Sequence, residues 1–329
     1  MTIGPVIIVA GPTASGKSGL GLELARRFGG VVVNADSLQV YRELRILTAR
    51  PDANAEAEIS HRLYGMVSVS ERFSVGQWLT MAQREINSVH KAGGLPIFVG
   101  GTGLYIRSLI TGIAHIPEVS AAVRREATKL YQQFGGVTFR ARLAARDPKT
   151  AARLQDGDKQ RLIRAWEVLE ATGRPISEWQ SGKSLGGLKS PFFVLAIMPP
   201  RAKLYRECDL RFESMLRAGA LEEVASLERL GLDPSLPAMK ALGVPALFSH
   251  LRGDLSLDDT RQIVCQAIRN YAKRQYTWFR NQLTADIEVA DLTISQRDVT
   301  DALSRFLLTT SQQRTSVAPF PATSSVGKS

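Results

Sequence analysis

The fold is decided by the stretch Val6-Ile7-Ile8-Val9-Ala10-Gly11-Pro12-Thr13-Ala14-Ser15-Gly16-Lys17-Ser18. Its first five residues predict a buried strand, and Gly11 to Ser18 match the pattern G-x-x-x-x-G-K-S. The glycines of such a loop let several backbone N–H groups point at one anion, and the following helix directs its positive end there. Lys17 is expected to reach the terminal phosphates and the Ser18 hydroxyl to bind magnesium. The motif is typical of ATP- and GTP-binding sites. The spacing alone does not determine which phosphate compound binds.

The composition favours a globular protein. The chain has 329 residues, 44% of them hydrophobic, and no window approaches the roughly 20 apolar residues of a membrane span. Residues 1–5 lead directly into the first strand and leave no room for a secretory signal, so we expect a cytoplasmic protein with no membrane partner. Cys208 and Cys265 occur in no Cys/His cluster, which favours two ordinary buried thiols over a disulfide or a zinc site.

The charge balance points to a polyanionic partner. Lysine and arginine number 42 against 31 acidic residues, which gives a formal net charge of +11. The sequence pI is about 9.9. A strongly basic chain is typical of proteins that bind nucleic acid, although charge alone does not establish this.

Strands and helices alternate in the first hundred residues. Apolar runs at 31–33, 97–99 and 192–197 predict three further buried strands of one sheet. Between two of them, Ser74 and Gln77 have the spacing of a helix capping box. We therefore predict an α/β fold with a P-loop three-layer core around a parallel sheet.

A helical and basic segment interrupts this core. Residues 113–190 carry helical patterns and no convincing strand, and their fourteen lysines and arginines against eight acidic residues give a net charge of +6. We predict the first part of the core over 1–112, a helical basic insertion over 113–190, core completion with C-terminal helices over 191–308, and a disordered tail over 309–329, rich in Ser, Thr and Pro.

The stretch 261–280 combines basic and aromatic residues and contains no acid. At helical spacing, Arg269, Lys273 and Arg280 share one face, and an apolar stripe lies on another. A helix of this kind could bind nucleic acid, or it could be an ordinary amphipathic core helix with a solvated basic side.

Polar residues follow the predicted strands directly. Asp36 comes after the second strand, and Gly100-Gly101-Thr102-Gly103 follows the strand at 97–99. The carboxyl ends of parallel strands line a common crevice, so both segments should face the phosphate loop. Asp36 could accept a proton, bind a metal or cap a helix. Arg161 and Arg164 share a helix face and could bind phosphates, or pair with Asp158 and Glu167 at the surface.

Taken together, the motifs resemble one family. GPTASGKS at 11–18, NADSLQVY at 34–41, LTARP at 47–51, VGGTGLY at 99–105, DKQRLIRAWEV at 158–168 and KRQYTWFR at 273–280 are similar, in order and spacing, to the tRNA dimethylallyltransferases. The resemblance covers residues 1–290. It implies transfer of a dimethylallyl group from dimethylallyl diphosphate to the exocyclic amine of the tRNA adenine next to the anticodon on its 3′ side. It also implies magnesium as cofactor and a monomer.

The resemblance assigns roles to individual residues. Gly11, Pro12, Thr13, Ala14, Ser15, Gly16, Lys17 and Ser18 would bind the diphosphate, with Lys17 as charge partner and Ser18 as magnesium ligand. Asp36 would be the general base, and Thr102 would stand near the reacting centre. Contacts with tRNA are implied for Asp36, Ser37, Leu38, Gln39, Thr102, Arg124, Gln160, Arg161, Leu162, Ile163, Arg164, Lys273, Arg274 and Arg280.

The chemistry agrees with these roles. Diphosphate leaves readily once its charge is neutralised, and an adenine amine needs help in losing its proton. A stacked base has to be flipped out to reach the allylic carbon, and Gln39 is suited to read its edge.

Two segments depart from the family pattern. Gly243-Val244-Pro245 stands where a Gly-Tyr-Lys/Arg element is usual, and Leu47 replaces a glycine in the loop after Asp36. The first departure puts one expected tRNA contact in doubt. The second is expected to alter the loop and to touch no catalytic position.

Three alternatives remain at this point. A P-loop small-molecule kinase would use Asp36 to orient a hydroxyl and the two arginines as a lid, but a lid needs about 20–30 residues, fewer than the insertion has. An RNA-binding P-loop protein whose bound nucleotide only switches its conformation is the second alternative. It would not explain why the loops after two strands, at 34–37 and 100–103, face each other across one crevice. Prenyl transfer to free adenosine nucleotides would give the basic insertion no evident role.

Overall fold

The computed structural model describes residues 4–182 and 184–315, and only the backbone of 292–296 and 311–315. The chain folds into two compact units, one formed by residues up to 110 and from 188 onward, the other by residues 111–187. Within the described part of the chain, no helix is both long and apolar enough to span a bilayer.

The first unit contains a six-stranded sheet. Its strands are β1 (Val6–Ala10), β2 (Gly30–Asn34), β3 (His61–Arg62), β4 (Leu95–Gly100), β7 (Phe192–Ile197) and β8 (Ile287–Val289). They are all parallel and lie in the order β3-β2-β4-β1-β7-β8, which confirms the predicted α/β class. The helices of this unit are α1 (Lys17–Phe28), α2 (Ala53–Glu58), α3 (Val75–Lys91), α4 (Gly103–Thr111), α9 (Arg201–Arg217), α10 (Ala220–Glu228), α11 (Val244–Leu251), α12 (Leu257–Gln282) and α13 (Leu292–Thr315), with a 3₁₀ turn at Ala238–Lys240.

Helices cover both faces of this sheet, which explains why its central strands are apolar throughout. On one face, Ile7 and Ile97 form a core with Leu24 of α1 and Leu303 of α13. On the opposite face, the Trp78 ring of α3 packs edge-on against Phe98 and stacks on Tyr105 of α4 at 4.3 Å.

Local sequence signals set several helix boundaries. At α3, the Ser74 hydroxyl accepts the Gln77 N–H while the Gln77 side chain accepts the Ser74 N–H, so the predicted capping box is confirmed. The predicted boundary of a disordered tail at 309 is wrong, because α13 continues to Thr315. The hydroxyls of Thr309 and Thr310 bond back to carbonyls one turn earlier, and Thr310 is buried. Residues 316–329 of that predicted tail lie outside the described residues.

The second unit is mainly helical. It contains α5 (Ala121–Ala144), α6 (Pro148–Arg153), α7 (Lys159–Thr172) and α8 (Ile176–Ser181). Phe139, Leu143, Leu162 and Val168 are fully buried in its core. The expectation of no strand here is wrong, because β5 (Ile113–Ala114) pairs antiparallel with β6 (Ser184–Leu185). These strands have two residues each and carry no periodic pattern.

Candidate functional site

The phosphate loop lies at the carboxyl end of β1, and its backbone has the curled form that the motif predicts. Ala14 and Gly16 both have left-handed backbone angles, with φ of 62° and 87°. Pro12 has no N–H, and the Ser15 N–H is bonded to the Pro12 carbonyl. The first turn of α1 supplies the N–H groups that lack helical partners, at the positive end of the helix.

Lys17 is buried, and its ammonium donates to the Pro12 carbonyl at 3.1 Å. Burial, with the nearby positive charge of Arg211 as the second cause, lowers the pKa of Lys17 to about 8. Burial also lowers the pKa of the Arg211 guanidinium. Lys17 and Arg211 repel each other, and the negative charge of Asp36 offsets only part of the lowering of their pKa values. The cavity is therefore suited to a compact, highly charged anion such as a diphosphate.

This cavity also contains the candidate base and an apolar wall. Fourteen residues line it, among them Lys17, Asp36 and Arg211. Its apolar side consists of Leu38, Leu47, Phe212, Met215, Leu242 and Ile268. A charged end, a carboxylate and an aliphatic surface are thus combined in one site, as a ligand with an anionic head and a hydrocarbon chain requires.

Asp36 is held in a tight turn after β2. Its N–H donates to the Asn34 side-chain oxygen at 2.8 Å, and its Oδ1 accepts the Leu38 N–H at 3.0 Å. Asn34 in turn donates to the Asp36 and Leu63 carbonyls. No helix begins between residues 36 and 52, all of which the structure describes, so Asp36 is not a helix cap. The helix-cap alternative is excluded.

Thr102 ties the loop after β4 to the loop after β2. Its hydroxyl oxygen accepts the Ser37 N–H at 2.9 Å and donates its proton to the Ser37 hydroxyl at 3.2 Å. Its own N–H donates to the Ala35 carbonyl. Thr102 thus bonds to both chain neighbours of Asp36 and is not among the residues that line the cavity. Its hydroxyl therefore orients the segment that carries the carboxylate.

The glycines of this loop permit close backbone approach. A Cβ at Gly100 would lie 2.1 Å from the Ala35 carbonyl oxygen, and one at Gly103 would lie 2.4 Å from the Trp278 ring. Both distances are far inside van der Waals contact.

Replacing Gly100 by alanine is therefore expected to destabilise the fold by about 3 kcal/mol, the upper end of the usual cost of overpacking, because backbone has to move. Gly76→Ala in α3, where the nearest atom to a new Cβ is 3.9 Å away, is the matched control and should be neutral or slightly stabilising. Thermal unfolding midpoints of both variants check this. Equal midpoints for the two variants would show that the loop at Gly100 does not pack closely against the backbone of Ala35.

The segment after Asp36 forms part of the cavity wall and is anchored from α10. The Glu223 carboxylate accepts the N–H groups of Arg45, Ile46 and Leu47 at 2.8, 2.7 and 3.0 Å. Gln39 is buried, and its amide nitrogen donates to the Thr48 and Ala49 carbonyls. This nitrogen is thus engaged within the protein, and the expected contact of Gln39 with a nucleotide stays a prediction.

The two departures from the family pattern meet in space. Leu47 lines the cavity as part of its apolar wall, and the expectation that its replacement touches no catalytic position stays a prediction. A Cβ at Gly243 would lie 3.4 Å from the Leu47 side chain. Gly243 precedes α11 with φ of 92°, and Pro245 lies in the first turn of that helix, where proline is favoured. The segment 243–245 therefore forms a helix start beside the cavity wall.

The long helix α12 has the two faces that its sequence predicts. Val264, Ile268 and Gln275 are buried, whereas Lys273, Arg274 and Arg280 are exposed. Tyr271 lines the cavity. Burial, with the negative charge of Asp36 as the second cause, raises the pKa of Tyr271.

The remaining predicted contacts lie in the second unit. Gln160 and Arg161 are exposed at the start of α7. The buried Glu167 carboxylate pairs with Arg164 at 3.3 Å and with Arg124 at 3.6 Å. One buried anion thus orients two of the predicted cations.

Two of the residues predicted to contact RNA, Leu162 and Ile163, have buried side chains. Leu162 is fully buried in the core of the second unit, and Ile163 is 8% exposed. Their side chains hold α7 in place and are not available to a partner in this conformation.

Sequence reasoning missed Arg211 and Glu223. Arg211 lies three residues after Cys208 and four before Met215, both on the buried side of α9. The signal in the sequence was that a cation, Arg211, lies at helical spacing from residues on the buried side of the helix. Glu223 acts only through backbone groups far away in sequence, and no motif marks it. Both cysteines are buried thiols, as expected.

Comparison with known proteins identifies the family. The family model described as IPP transferase matches residues 39–282. The chain belongs to the IPP transferase family. The tRNA dimethylallyltransferase of Rhodospirillum centenum is 56% identical over 282 residues, covering 85% of this chain and 90% of the relative. That of Rhodospirillum rubrum is 46% identical and covers 93% and 96%.

Solved structures agree with this family. The tRNA isopentenylpyrophosphate transferase of Bacillus halodurans matches with a TM-score of 0.67 at 28% identity, covering 95% of this chain and 99% of the other. A eukaryotic dimethylallyltransferase acting on tRNA matches with a TM-score of 0.75 at 26% identity, covering 92% and 80%.

Proposed function

We infer that this IPP transferase moves a dimethylallyl group from dimethylallyl diphosphate to the exocyclic amine of an adenine in tRNA. The observation that carries this is the cavity in which Lys17 and Arg211 lie with Asp36 beside an apolar wall. The cations and the phosphate loop bind the diphosphate, and the aliphatic side chains surround the prenyl chain. The names of the relatives are those of prenyl transferases, and no observation favours the kinase alternative.

The reaction follows from these groups. The bond between the allylic carbon and the diphosphate oxygen breaks, and the carbon forms a bond with the adenine nitrogen. The departing negative charge is stabilised by Lys17, Arg211 and the N–H groups of the loop. Asp36 accepts the proton that the amine loses, and diphosphate is released. The Ser15 hydroxyl, which is buried without a hydrogen-bond partner in the described part of the chain, is a further donor to the diphosphate.

We propose Mg²⁺ as the cofactor of this site. The Ser18 hydroxyl and the Asp36 carboxylate line the same cavity, and both are oxygen ligands of the kind that Mg²⁺ prefers. Ser18 would hold the ion together with diphosphate oxygens. The ion would neutralise part of the charge on the leaving group.

We further propose that the acceptor is the adenine on the 3′ side of the anticodon, presented by the anticodon stem-loop. The adenine has to be flipped out of its stack to approach Asp36. Ser37, Leu38 and Gln39 follow the base and would contact the nucleotide. The residues that would bind the RNA backbone are Arg124, Gln160, Arg161, Arg164, Lys273, Arg274 and Arg280. We expect a monomer that acts in the cytoplasm, with residues 113–190 as its tRNA-binding insertion.

Arg161→Ala and Arg164→Ala are each expected to weaken tRNA binding and to reduce the slope of log affinity against log salt by about 1, because each removes one phosphate contact. Arg174→Ala is the control, since Arg174 lies on the same unit, is not among the predicted RNA contacts and pairs with Glu178 at 2.9 Å. Filter binding between low and moderate salt measures the slopes. Slopes equal to that of the unaltered protein would show that Arg161 and Arg164 are only solvated surface groups.

The function is tested with purified protein and labelled dimethylallyl diphosphate. Label is expected in unmodified tRNA that carries adenine after the anticodon, with release of diphosphate. Equal transfer to AMP would contradict tRNA as the acceptor. Phosphate transfer from ATP, without prenyl transfer, would establish the kinase alternative.

A further inference from the structure

One buried side chain on α12 joins the two loops that hold the substrates. Gln275 is 7% exposed. Its Oε1 accepts the Thr13 N–H at 2.8 Å, and its Nε2 donates to the Gly101 carbonyl at 2.7 Å. A Cβ at Gly101 would lie 2.5 Å from Nε2, so that glycine leaves the space that the amide occupies.

One of these hydrogen bonds is accepted by the side chain and the other is donated by it, which requires an amide. Thr13 presents a donor and Gly101 an acceptor, and a neutral side chain of this length that offers both at once is glutamine. Glutamate would place a second oxygen against the Gly101 carbonyl, and methionine would satisfy neither loop. The chemistry at position 275 is therefore set by the two loops and not by the packing of α12 alone.

Each loop holds one half of the proposed reaction. Thr13 belongs to the loop that would bind the diphosphate. Gly101 precedes Thr102, whose hydroxyl accepts the N–H of Ser37, and Ser37 directly follows Asp36 in the chain. Gln275 is thus the direct side-chain connection between the leaving-group site and the segment that carries the base.

We propose that Gln275 is a positioning residue that sets the distance between the diphosphate cradle and the acceptor side of the cavity. This rests on the proposed function, since it concerns the alignment of the donor carbon with the amine beside Asp36. Transfer requires the two reacting atoms in near-attack geometry, and a displacement of about 1 Å can lower the rate roughly 100-fold. Neither substrate alone needs this alignment for binding.

The test compares Gln275→Met with Gln266→Met. Gln266 lies on the same helix, is exposed, and bonds to Asn270 and Arg269 at the surface. Single-turnover rates at saturating substrates are measured per folded molecule, together with the affinities for inorganic pyrophosphate and for tRNA. For Gln275→Met we expect a rate loss of about 10- to 100-fold with both affinities changed by no more than a few fold, and no effect for Gln266→Met.

An unchanged rate for Gln275→Met would overturn the proposal. A rate that falls together with both affinities would also overturn it, because that pattern indicates general disruption of the binding sites and not misalignment of two bound substrates. If this variant does not fold, Gln275→Asn decides, since it keeps an amide but is too short to reach both loops. A rate loss without affinity loss supports the proposal, and full activity overturns it. Failure of the unaltered protein to transfer the prenyl group would instead contradict the proposed function.

Discussion

Asp36→Asn is expected to lower the rate of prenyl transfer by about 10²- to 10⁴-fold, the usual contribution of a general base. Asparagine keeps the side-chain oxygen that accepts the Leu38 N–H, so the turn after β2 is preserved. What is lost is the negative charge that accepts the proton. The affinity for tRNA should stay within a few fold, because this change removes no phosphate contact. Single-turnover kinetics and filter binding measure the two quantities.

Asp52→Asn is the matched control for this variant. Asp52 caps α2 by accepting the Ala55 N–H, outside the cavity, and asparagine caps a helix equally well. It should transfer at the rate of the unaltered protein. If Asp36→Asn were equally active, Asp36 would only shape the turn and the base would have to be sought elsewhere.

Lys17→Met is expected to lower kcat/KM for dimethylallyl diphosphate by about 10²- to 10³-fold, as removal of one preorganised donor to developing charge does. The buried ammonium lies in the cavity with Arg211, and methionine fills its space without the charge. Affinity for tRNA should change little. Initial rates at low donor concentration measure this effect.

The lowered pKa of Lys17 also predicts that kcat/KM for the donor depends on pH. Its pKa is lowered to about 8, mainly by burial, so in the free enzyme the charged form predominates below pH 8 and the neutral amine above it. Only the charged form attracts the diphosphate, and therefore kcat/KM for the donor should fall as the pH rises above about 8. Lys17→Arg keeps its charge and should lack this decline. A pH profile identical in both proteins would show that Lys17 does not control donor capture.

The architecture of the sheet could be predicted from sequence because its central strands are buried on both faces. The runs at 6–10, 97–99 and 192–197 are wholly apolar and lie between turn residues, and each forms a parallel strand. The capping box at Ser74 likewise depends only on local contacts. The two-residue strands β5 and β6 could not be predicted, since their pairing depends on residues about 70 positions apart.

The site residues that directly follow strands could be predicted from sequence. Those that depend on tertiary contacts could not be predicted. Asp36 and the phosphate loop follow β2 and β1, and parallel strands bring such segments to one edge. Arg211 and Glu223 come from helices α9 and α10, whose positions over that edge no local pattern reveals. The RNA contacts expected for 160–164 stay predictions, and within that range the side chains of Leu162 and Ile163 of α7 are buried.

The central claim is the identity of the atom that receives the prenyl group. Unmodified tRNA is incubated with the protein, dimethylallyl diphosphate and Mg²⁺, then digested with nucleases and analysed by mass spectrometry. One five-carbon prenyl unit is expected on the exocyclic amine of the adenosine directly 3′ of the anticodon, and none with Asp36→Asn over the same time. Modification at another nucleotide, or tRNA of unchanged mass with the unaltered protein, would contradict the account.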